Sequence, residues 1–451
     1  MGKLLLALII ASAALVSLAR PWIGIAAYYL LALLGPQYIW FWDFQGLRVS
    51  LVIAAAALLG FSLAALRGRY DFSFLKTKIN LWLLFLWIFL DASYLLGPYV
   101  SAFDPKTGGL SPNYIFSMTN KIFLFYFCAT VAVNNVKKLR WLGIVFIISV
   151  IYLIYWANHE YLIHNWAHFS FGRLMGPSDI FGGNLYADQN AFAMLFVTGL
   201  PFIYFLGLGI ARKWLRYALW CAIPLGWNAI FLTGSRGGLL GLGIIVLAVA
   251  LLSGKKKSAV LVLLLFLAFY MWQAAGTTIE RRSETITNYQ RNASAEDRLQ
   301  AWRAGLRMME AHPFTGVGIG SFVHAFPDYS DKKPRVAHDT LIQFAAESGI
   351  GAGICYLMVI YYFFTRAIKI GAWCKAQEEN TDVLWIKRLN NSSAVSFAGL
   401  VICSLFLSLN TYEIFYFLLI FNNSLSVICQ KAMEQKENLS FSGNGPIMET
   451  V

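Results

Sequence analysis

Charged side chains are scarce in this chain. Asp, Glu, Lys and Arg together make up 13% of its 451 residues, about half the share found in soluble domains. Hydrophobic residues make up 58%, and a water-soluble fold of this length could not bury so much apolar surface. These values exclude a soluble enzyme, a disordered protein and a fibrous protein. They indicate a polytopic membrane protein, whose function should be sought where polar residues interrupt the apolar pattern.

Paired cysteines are also absent. The six cysteines show no C-x-x-C spacing, and all but Cys374 lie inside apolar stretches. Such positions are typical of small hydrophobic side chains, so the sequence indicates neither a disulfide framework nor a zinc site.

Long apolar blocks fill most of the chain. A membrane-spanning helix needs roughly 17–25 apolar residues, and the blocks that approach this length lie near 4–19, 21–36, 48–66, 80–97, 119–134, 140–157, 189–210, 214–232, 237–253, 258–275, 339–365, 392–409 and 411–429. We predict an all-α polytopic integral membrane protein with 12–13 transmembrane helices and no sheet. The first two blocks are short and form either two spans or a shallow hairpin. The first has no convincing cleavage site, so we expect a retained span.

Lys and Arg are distributed unequally between alternate loops. One set of loops, with the tail, holds 20 of them, whereas the opposite loops before residue 276 hold four. Because cytoplasmic loops are enriched in basic residues, the first set should be cytoplasmic. All six histidines fall on the other side, which carries the two large segments 158–188 and 276–338. We therefore expect the functional face to be the extracytoplasmic one.

Five regions follow from these boundaries. They are N-terminal membrane helices (1–134), central membrane helices with an outer loop at 158–188 (135–275), a large periplasmic loop (276–338), C-terminal membrane helices (339–436) and a disordered cytoplasmic tail (437–451). Within the large loop, residues 294–313 predict an amphipathic helix, because Leu299, Trp302, Leu306 and Met309 repeat at helical spacing. Its apolar stripe should lie on the membrane surface or on the mouth of the bundle.

The turn Ser235-Arg236-Gly237-Gly238 between two spans is the first polar interruption with chemical content. An arginine near membrane depth costs roughly 2.5–3.5 kcal/mol or more, so it needs a partner or a function. Glycines let the backbone approach a ligand, and the start of the next helix offers free N–H groups to an anion. The alternative is a hairpin turn whose arginine reaches the lipid interface. The residues alone leave both interpretations open.

Further arginines occur in the two large outer segments. Arg303 and Arg307 share one face of the predicted helix, after Arg298 and Trp302. Like charges at this spacing are mildly unfavourable unless an anion or a lipid headgroup compensates them. Arg173, in the other large segment, belongs to a weaker cluster for which an ordinary polar loop is as good an explanation.

His338 lies where the long segment enters the membrane again. A histidine has an ordinary pKa of about 6.5 and can act as a base when neutral, and Asp339 beside it should raise that pKa. A lone histidine at such a position is more often a capping or hydrogen-bonding residue. Glu347, about two turns further on, is a carboxylate among apolar neighbours, where it pairs with an arginine or makes a polar helix contact.

In their order, these features resemble the O-antigen ligase and O-antigen polymerase superfamily. The resemblance rests on the Ser235–Gly238 turn, on Arg298 with Trp302, on the glycine run that follows His312-Pro313, and on His338-Asp339-Thr340-Leu341. It is specific from about Arg173 to Phe364. The N-terminal part resembles the O-glycosylation ligases associated with exosortase-A systems, through Arg20-Pro21, Gly46-Leu47-Arg48 and 285–289.

The resemblance implies a glycosyltransferase of the bacterial inner membrane that uses no metal or other cofactor. It would move a glycan from an undecaprenyl-diphosphate carrier to a hydroxyl of lipid A core, protein or another glycan, on the periplasmic face among membrane lipids, with no nucleic acid involved. By this resemblance we assign Arg236, Arg298 and His338 to catalysis, and Arg173, Ser235, Trp302, Arg303 and Glu347 to substrate binding. A polysaccharide polymerase is the alternative within the enzyme class, and a transporter of an anionic solute is the alternative outside it.

Overall fold

The computed structural model describes residues 2–39, 49–105, 109–177, 186–252, 290–408 and 410–442. Seventeen α-helices occur in these ranges. In chain order they are α1 (Gly2–Ala19), α2 (Pro21–Leu34), α3 (Pro36–Ile39), α4 (Val49–Leu66), α5 (Lys78–Leu96), α6 (Pro112–Ala132), α7 (Val136–Leu162), α8 (Gln189–Gly207), α9 (Lys213–Trp220), α10 (Ala222–Thr233), α11 (Arg236–Leu252), α12 (Gln290–Ala311), α13 (Phe322–Tyr329), α14 (Thr340–Ser348), α15 (Ile350–Ala376), α16 (Thr381–Ser404) and α17 (Glu413–Ser442). Three short 3-10 helices lie at Phe72–Leu75, Val100–Ala102 and Trp166–His168.

Among the described residues, nine helices are long and apolar enough to cross a membrane, and α11 and the 8–19 part of α1 are shorter apolar helices. The prediction of an all-α polytopic membrane protein is therefore confirmed. The apolar block predicted near 258–275 lies outside the described residues, as do 46–48 and 285–289. The last helix continues to Ser442, so the first residues of the predicted disordered tail are helical, and residues 443–451 lie outside the described part.

Two helices form the centre of the bundle. In α8 every residue from Ala191 to Gly207 except Tyr204 is buried, and in α17 the whole stretch 414–425 is buried. A helix that is apolar and enclosed on all sides is surrounded by other helices. Helix α16 packs closely on α8 and α11. Its approach to α11 is possible because Gly399 of α16 and Gly241 of α11 place no side chain between these two backbones.

The loops form two groups at opposite ends of the spans. At the basic end, the Arg140 guanidinium lies 3.8 Å from the ring centroid of Trp385, and Lys431 forms an ion pair with Asp71. At the outer end, the Tyr99 hydroxyl donates to Asp328 at 2.6 Å. Loops that the basic-residue count assigns to one side thus contact one another. Which compartment each end faces stays a prediction.

A small second core lies at the outer end, formed by α12, α13 and α14. Its buried residues include Ala301, Ala304, Met308 and Phe322. Leu299 and Leu306, which the predicted apolar stripe contained, are 46% and 53% exposed. The face of α12 that packs on protein therefore consists of Ala301, Ala304 and Met308, and the two alanines let the helix approach α13 and α14 closely.

The apolar block 339–365, predicted as one span, is interrupted at Gly349. Helix α14 ends at Ser348, and Gly349 adopts a φ of +87° before α15 begins. The carbonyl groups that the break leaves free are satisfied by the loop before α13, since the N–H groups of Val317 and Gly318 donate to Ala346 and Glu347 at 2.9 Å each. The candidate span accordingly begins at Ile350. Interrupted helices are tolerated at membrane depth only when the freed backbone groups find such partners.

A β-hairpin, Phe169–Ser170 paired with Arg173–Leu174, is the one departure from the expectation of no sheet in the described part. Its two turn residues have positive φ, +50° at Phe171 and +72° at Gly172, as a two-residue hairpin turn of this type requires. Arg173 follows the turn directly, so the hairpin determines the position of the Arg173 backbone.

Candidate functional site

Ser235 organises the turn that carries Arg236. Its hydroxyl accepts the N–H of Gly238 at 3.1 Å and thereby caps the start of α11. The same hydroxyl donates to the side-chain oxygen of Asn190 at 2.8 Å. Ser235 is 2% exposed, whereas Arg236, the first residue of α11, is exposed. These contacts favour a positioning role for Ser235 and leave the guanidinium beside it accessible.

The start of α8 adjoins this turn. The Asp188 carboxylate accepts the N–H groups of Asn190 and Ala191, at 2.8 and 3.1 Å, and caps α8. Because Asn190 also binds Ser235, the N-terminal ends of α8 and α11 meet at one place. Helix N-termini carry a partial positive charge that attracts anions.

Arg173 packs against the same turn. A Cβ built on Gly234 would lie 3.2 Å from Cγ and 3.5 Å from Cδ of Arg173, so the arginine stem lies across the glycine that precedes Ser235 and Arg236. Gly234 has a φ of +59° and ends α10. The absence of a side chain at Gly234 thus allows both the turn and the approach of the arginine.

Arg298 extends from α12 toward these residues. Its guanidinium lies 5.7 Å from the centroid of the Phe406 ring. Burial lowers the pKa of Arg298, the positive charges of Arg236 and Arg173 lower it further, and Asp188 opposes them. A Cβ built on Gly237, next to Arg236, would lie 3.1 Å from Cβ of the same Phe406, so Arg298 lies near the turn that Arg173 also contacts. We call Arg173, Arg236 and Arg298 the arginine cluster.

His338 borders the arginine cluster. Burial lowers the pKa of His338 from 6.5, and the positive charges of Arg298 and Arg335 act in the same direction, whereas Asp188 raises it. The imidazole is therefore neutral at pH 7. Its Nδ1 is buried and makes no hydrogen bond to any residue that the structure describes. The expectation that Asp339 raises this pKa is wrong, because burial dominates and lowers it and Asp339 is not among the charges that act on it. The Asp339 carboxylate caps α14, accepting the N–H of Ile342 at 2.9 Å.

The backbone around His338 is held on both sides. The Trp302 indole N–H donates to the carbonyl oxygen of Ala337 at 3.1 Å, and the N–H of Ala337 donates to the Gln343 side chain at 3.2 Å. His338 itself has a φ of +51°, a region that few non-glycine residues adopt. Such positions persist only where the surroundings enforce them. These contacts give Trp302 a positioning role.

Glu347 lies behind this arrangement. The side chain is 1% exposed, and its two oxygens accept hydrogen bonds from Gln343 at 2.5 Å, the N–H of Phe322 at 3.2 Å and Asn410 at 2.9 Å. It thus joins α14, α13 and the turn before α17. This enclosure favours a structural role over the substrate contact predicted from sequence.

The structure thus brings together most of the residues predicted from sequence and adds others. Arg303 is exposed on α12, and no described contact joins it to the arginine cluster. Asp188, Gln343 and Phe406 were not predicted as site residues. For Asp188 the signal in the sequence was its position directly before α8, which is typical of a helix cap.

The arrangement can bind a multivalent anion at the outer end of the bundle. The arginine cluster carries three guanidinium groups, and the Asp188 carboxylate that acts on Arg298 caps α8. Arginine binds phosphate oxygens with two parallel hydrogen bonds. The neutral His338 beside them can accept a proton. Across the part of the chain that the structure describes, no group of three His, Cys, Asp or Glu side chains is arranged to hold a metal ion.

Comparison with known protein families gives two matches. Residues 221–357 match the model of the O-antigen ligase family, and residues 1–158 match a family of unknown function (DUF5935). The first segment includes Arg236, Arg298 and His338, whereas Arg173 lies outside both. No curated protein matches the chain. The first match supports the O-antigen ligase superfamily and implies a glycosyl-transferring enzyme of that type, acting on lipid-linked glycan as a membrane ligase or polymerase.

Proposed function

We propose that this protein transfers a glycan from an undecaprenyl-diphosphate carrier to an acceptor hydroxyl, at the periplasmic surface of the bacterial inner membrane. The observation that carries the proposal is the arginine cluster beside a neutral histidine at one end of an apolar bundle. A donor with a lipid tail and a diphosphate needs cationic side chains at the bilayer edge, and an acceptor hydroxyl needs a base nearby.

The arginine cluster would hold the diphosphate. When the bond between the glycan anomeric carbon and the diphosphate oxygen breaks, the bonding electrons stay with the diphosphate and its negative charge grows. Arg236 and Arg298 therefore stabilise the transition state more than the bound donor. Arg173, across Gly234 from Arg236, would contact the same group.

His338 would act as the base. The acceptor oxygen forms a bond to the anomeric carbon and loses its proton to the imidazole, which contributes roughly 10²–10⁴ in rate. A lowered pKa keeps His338 unprotonated at neutral pH, as this step requires. Trp302 and Gln343 fix the preceding residue from either side, which supports a fixed direction for the histidine backbone.

The acceptor distinguishes the enzymes within this class. A hydroxyl of lipid A core or of a protein would make the chain a ligase, and a second lipid-linked glycan would make it a polymerase. We place the chain with the ligases associated with exosortase-A systems, on the N-terminal features described above. A transporter of anions would need polar groups along a path through the bundle, whereas the cluster described here lies at its outer end.

Lysine substitution tests the role of the arginine cluster. Lys at Arg236 or Arg298 keeps the charge and loses the two-pronged hydrogen bonding, so the rate should fall roughly 10- to 100-fold. The assay uses the full-length protein in liposomes with undecaprenyl-diphosphate-linked glycan extracted from the producing cells, and measures released undecaprenyl diphosphate by mass spectrometry. Both ligase and polymerase release this product.

Arg307→Lys is the matched control, because Arg307 lies on the same helix and donates to the Tyr329 carbonyl instead of joining the cluster. We expect a rate near that of the unmodified protein. Full activity of both cluster variants at normal protein levels would show that these arginines only anchor the chain at the interface. No release by the unmodified protein would refute the transferase itself.

A further inference from the structure

A cavity of about 650 Å³ opens at the basic end, opposite the arginine cluster. It lies between the start of α5, the second half of α15 and the 426–433 part of α17. Four of its lining residues are basic, namely Lys76, Lys78, Arg366 and Lys369. Among the residues that the structure describes, no Asp or Glu lines it. Asp71, an acid near this end, is engaged by Lys431.

Four cations around one cavity repel each other unless an anion compensates them. Lys78 lies over the Tyr362 ring, 5.4 Å from its centroid, and Arg366 donates to Asn423 at 3.2 Å. Both of these partners are uncharged. Lys78 is also the first residue of α5, after the cap Thr77, so the partial positive charge of a 19-residue helix adds to the same place.

An apolar groove of about 550 Å³ continues from this cavity. Both are lined by Lys76, Thr77 and Lys78, and the groove follows α5 past Leu81 and Leu84 to Trp87. From Lys78 to Trp87 the helix rises roughly 13 Å, which is about the depth of the hydrocarbon in one leaflet of a bilayer. A cationic cavity thus leads directly into an apolar groove of acyl-chain length.

We propose that this composite site binds an anionic phospholipid of the leaflet at the basic end. The phosphate would lie among Lys78, Arg366 and Lys369, and one acyl chain would follow the groove along α5. A soluble phosphate compound would use the cavity and leave the groove empty. The site is separate from the arginine cluster, so the inference does not depend on the proposed function.

Native mass spectrometry of the full-length protein in detergent tests the headgroup part. The probes are phosphatidylglycerol and phosphatidylcholine with identical acyl chains. We expect phosphatidylglycerol to be retained and phosphatidylcholine to be lost. In the double variant Lys78→Gln and Lys369→Gln, affinity for phosphatidylglycerol should fall roughly 25-fold, at about fivefold for each basic residue near the surface.

The double variant Lys375→Gln and Lys387→Gln is the matched control. It removes the same charge from exposed positions at the same end that do not line the cavity, and it should bind phosphatidylglycerol as the unmodified protein does. Equal binding of the two lipids, or equal losses in both double variants, would overturn the proposal, because charge at this end in general would then explain the binding.

Leu84→Trp tests the groove without changing any charge. A larger side chain there should displace the acyl chain and weaken phosphatidylglycerol at least tenfold, with the elution volume of the protein unchanged. Glycerol 1-phosphate, which has the headgroup without chains, should compete only at concentrations far above those of the lipid. Competition at equal concentrations, or normal lipid binding by Leu84→Trp, would identify a soluble-anion site and overturn the lipid assignment.

Discussion

At the scale of single residues, Asp188 combines a helix cap with an electrostatic effect on His338. In the unmodified protein the negative charge of Asp188 raises the pKa of His338. Asn at this position keeps an oxygen for the cap and removes that charge. Since the base must be neutral, the rate should rise with pH through that pKa and then level off. We expect a midpoint below 6.5 for the unmodified protein, and a still lower midpoint for Asp188→Asn.

Arg335→Gln is the opposite counterpart of this variant. Arg335 lowers the pKa of His338 and pairs with Asp297 at 2.5 Å. Its removal should move the midpoint to higher pH. Rates of undecaprenyl diphosphate release between about pH 4.5 and 8 give the three midpoints. Shifts in the same direction for both variants, or a rate that falls with pH, would contradict the base assignment.

The residues of the site differ in how well the sequence could predict them. Arg236 and His338 interrupt or adjoin apolar blocks, so their cost in the membrane marks them for function, whereas Arg298 lies in the large loop and was assigned through the family resemblance. Glu347 is also a charged residue among apolar neighbours, but its role is structural. Its hydrogen bonds join three segments that are distant in sequence. Nothing in the local sequence separates a buried structural carboxylate from a binding one.

At the scale of elements, the break between α14 and α15 determines how the outer end is built. A Cβ on Gly349 would overlap the carbonyl oxygen of Phe314, and the φ of +87° is unfavourable for any other residue. We expect Gly349→Ala to lower the unfolding free energy by at least about 2 kcal/mol. Thermal unfolding in detergent, followed by tryptophan fluorescence, measures the change.

Gly68→Ala provides the comparison for that break. Gly68 also has a positive φ, +67°, but no atom lies within 4 Å of a Cβ built there. Only the backbone effect should remain, roughly 1 kcal/mol. If Gly349→Ala and Gly68→Ala lost the same unfolding free energy, the overlap with the Phe314 carbonyl oxygen at the end of α14 would contribute nothing.

The helices themselves could be predicted, whereas this break could not. Each span is a run of apolar residues of sufficient length, and length and composition are local properties. The stretch 339–365 has that same composition, and its interruption depends on the N–H groups of Val317 and Gly318, some 30 residues earlier. Likewise, the packed face of α12 follows from its neighbours and not from its largest apolar residues.

At the scale of the whole molecule, the orientation in the membrane decides where any reaction occurs. Basic loops meet at one end, and we predict that this end is cytoplasmic. In a Cys221→Ser background, which removes an exposed cysteine, Asp331→Cys should react with an impermeant maleimide in intact spheroplasts and Glu378→Cys should not. Both positions are exposed, and lysed cells should label both. The reverse pattern in intact cells would move the site to the cytoplasm.

At His338 the residue that the proposed reaction needs has a backbone conformation that lowers stability. A left-handed conformation costs a non-glycine residue roughly 1–2 kcal/mol, and the φ of +51° at His338 lies in that region. His338→Gly should therefore unfold at the same temperature as the unmodified protein or higher, although it loses a half-buried side chain, while the β-branched His338→Val should unfold earlier. Both should lack transferase activity. A marked loss of stability in the glycine variant would show that the imidazole itself supports the fold. If the glycine variant keeps its stability, selection for stability alone would not retain a histidine at this position. The histidine would then be retained by its role in the reaction.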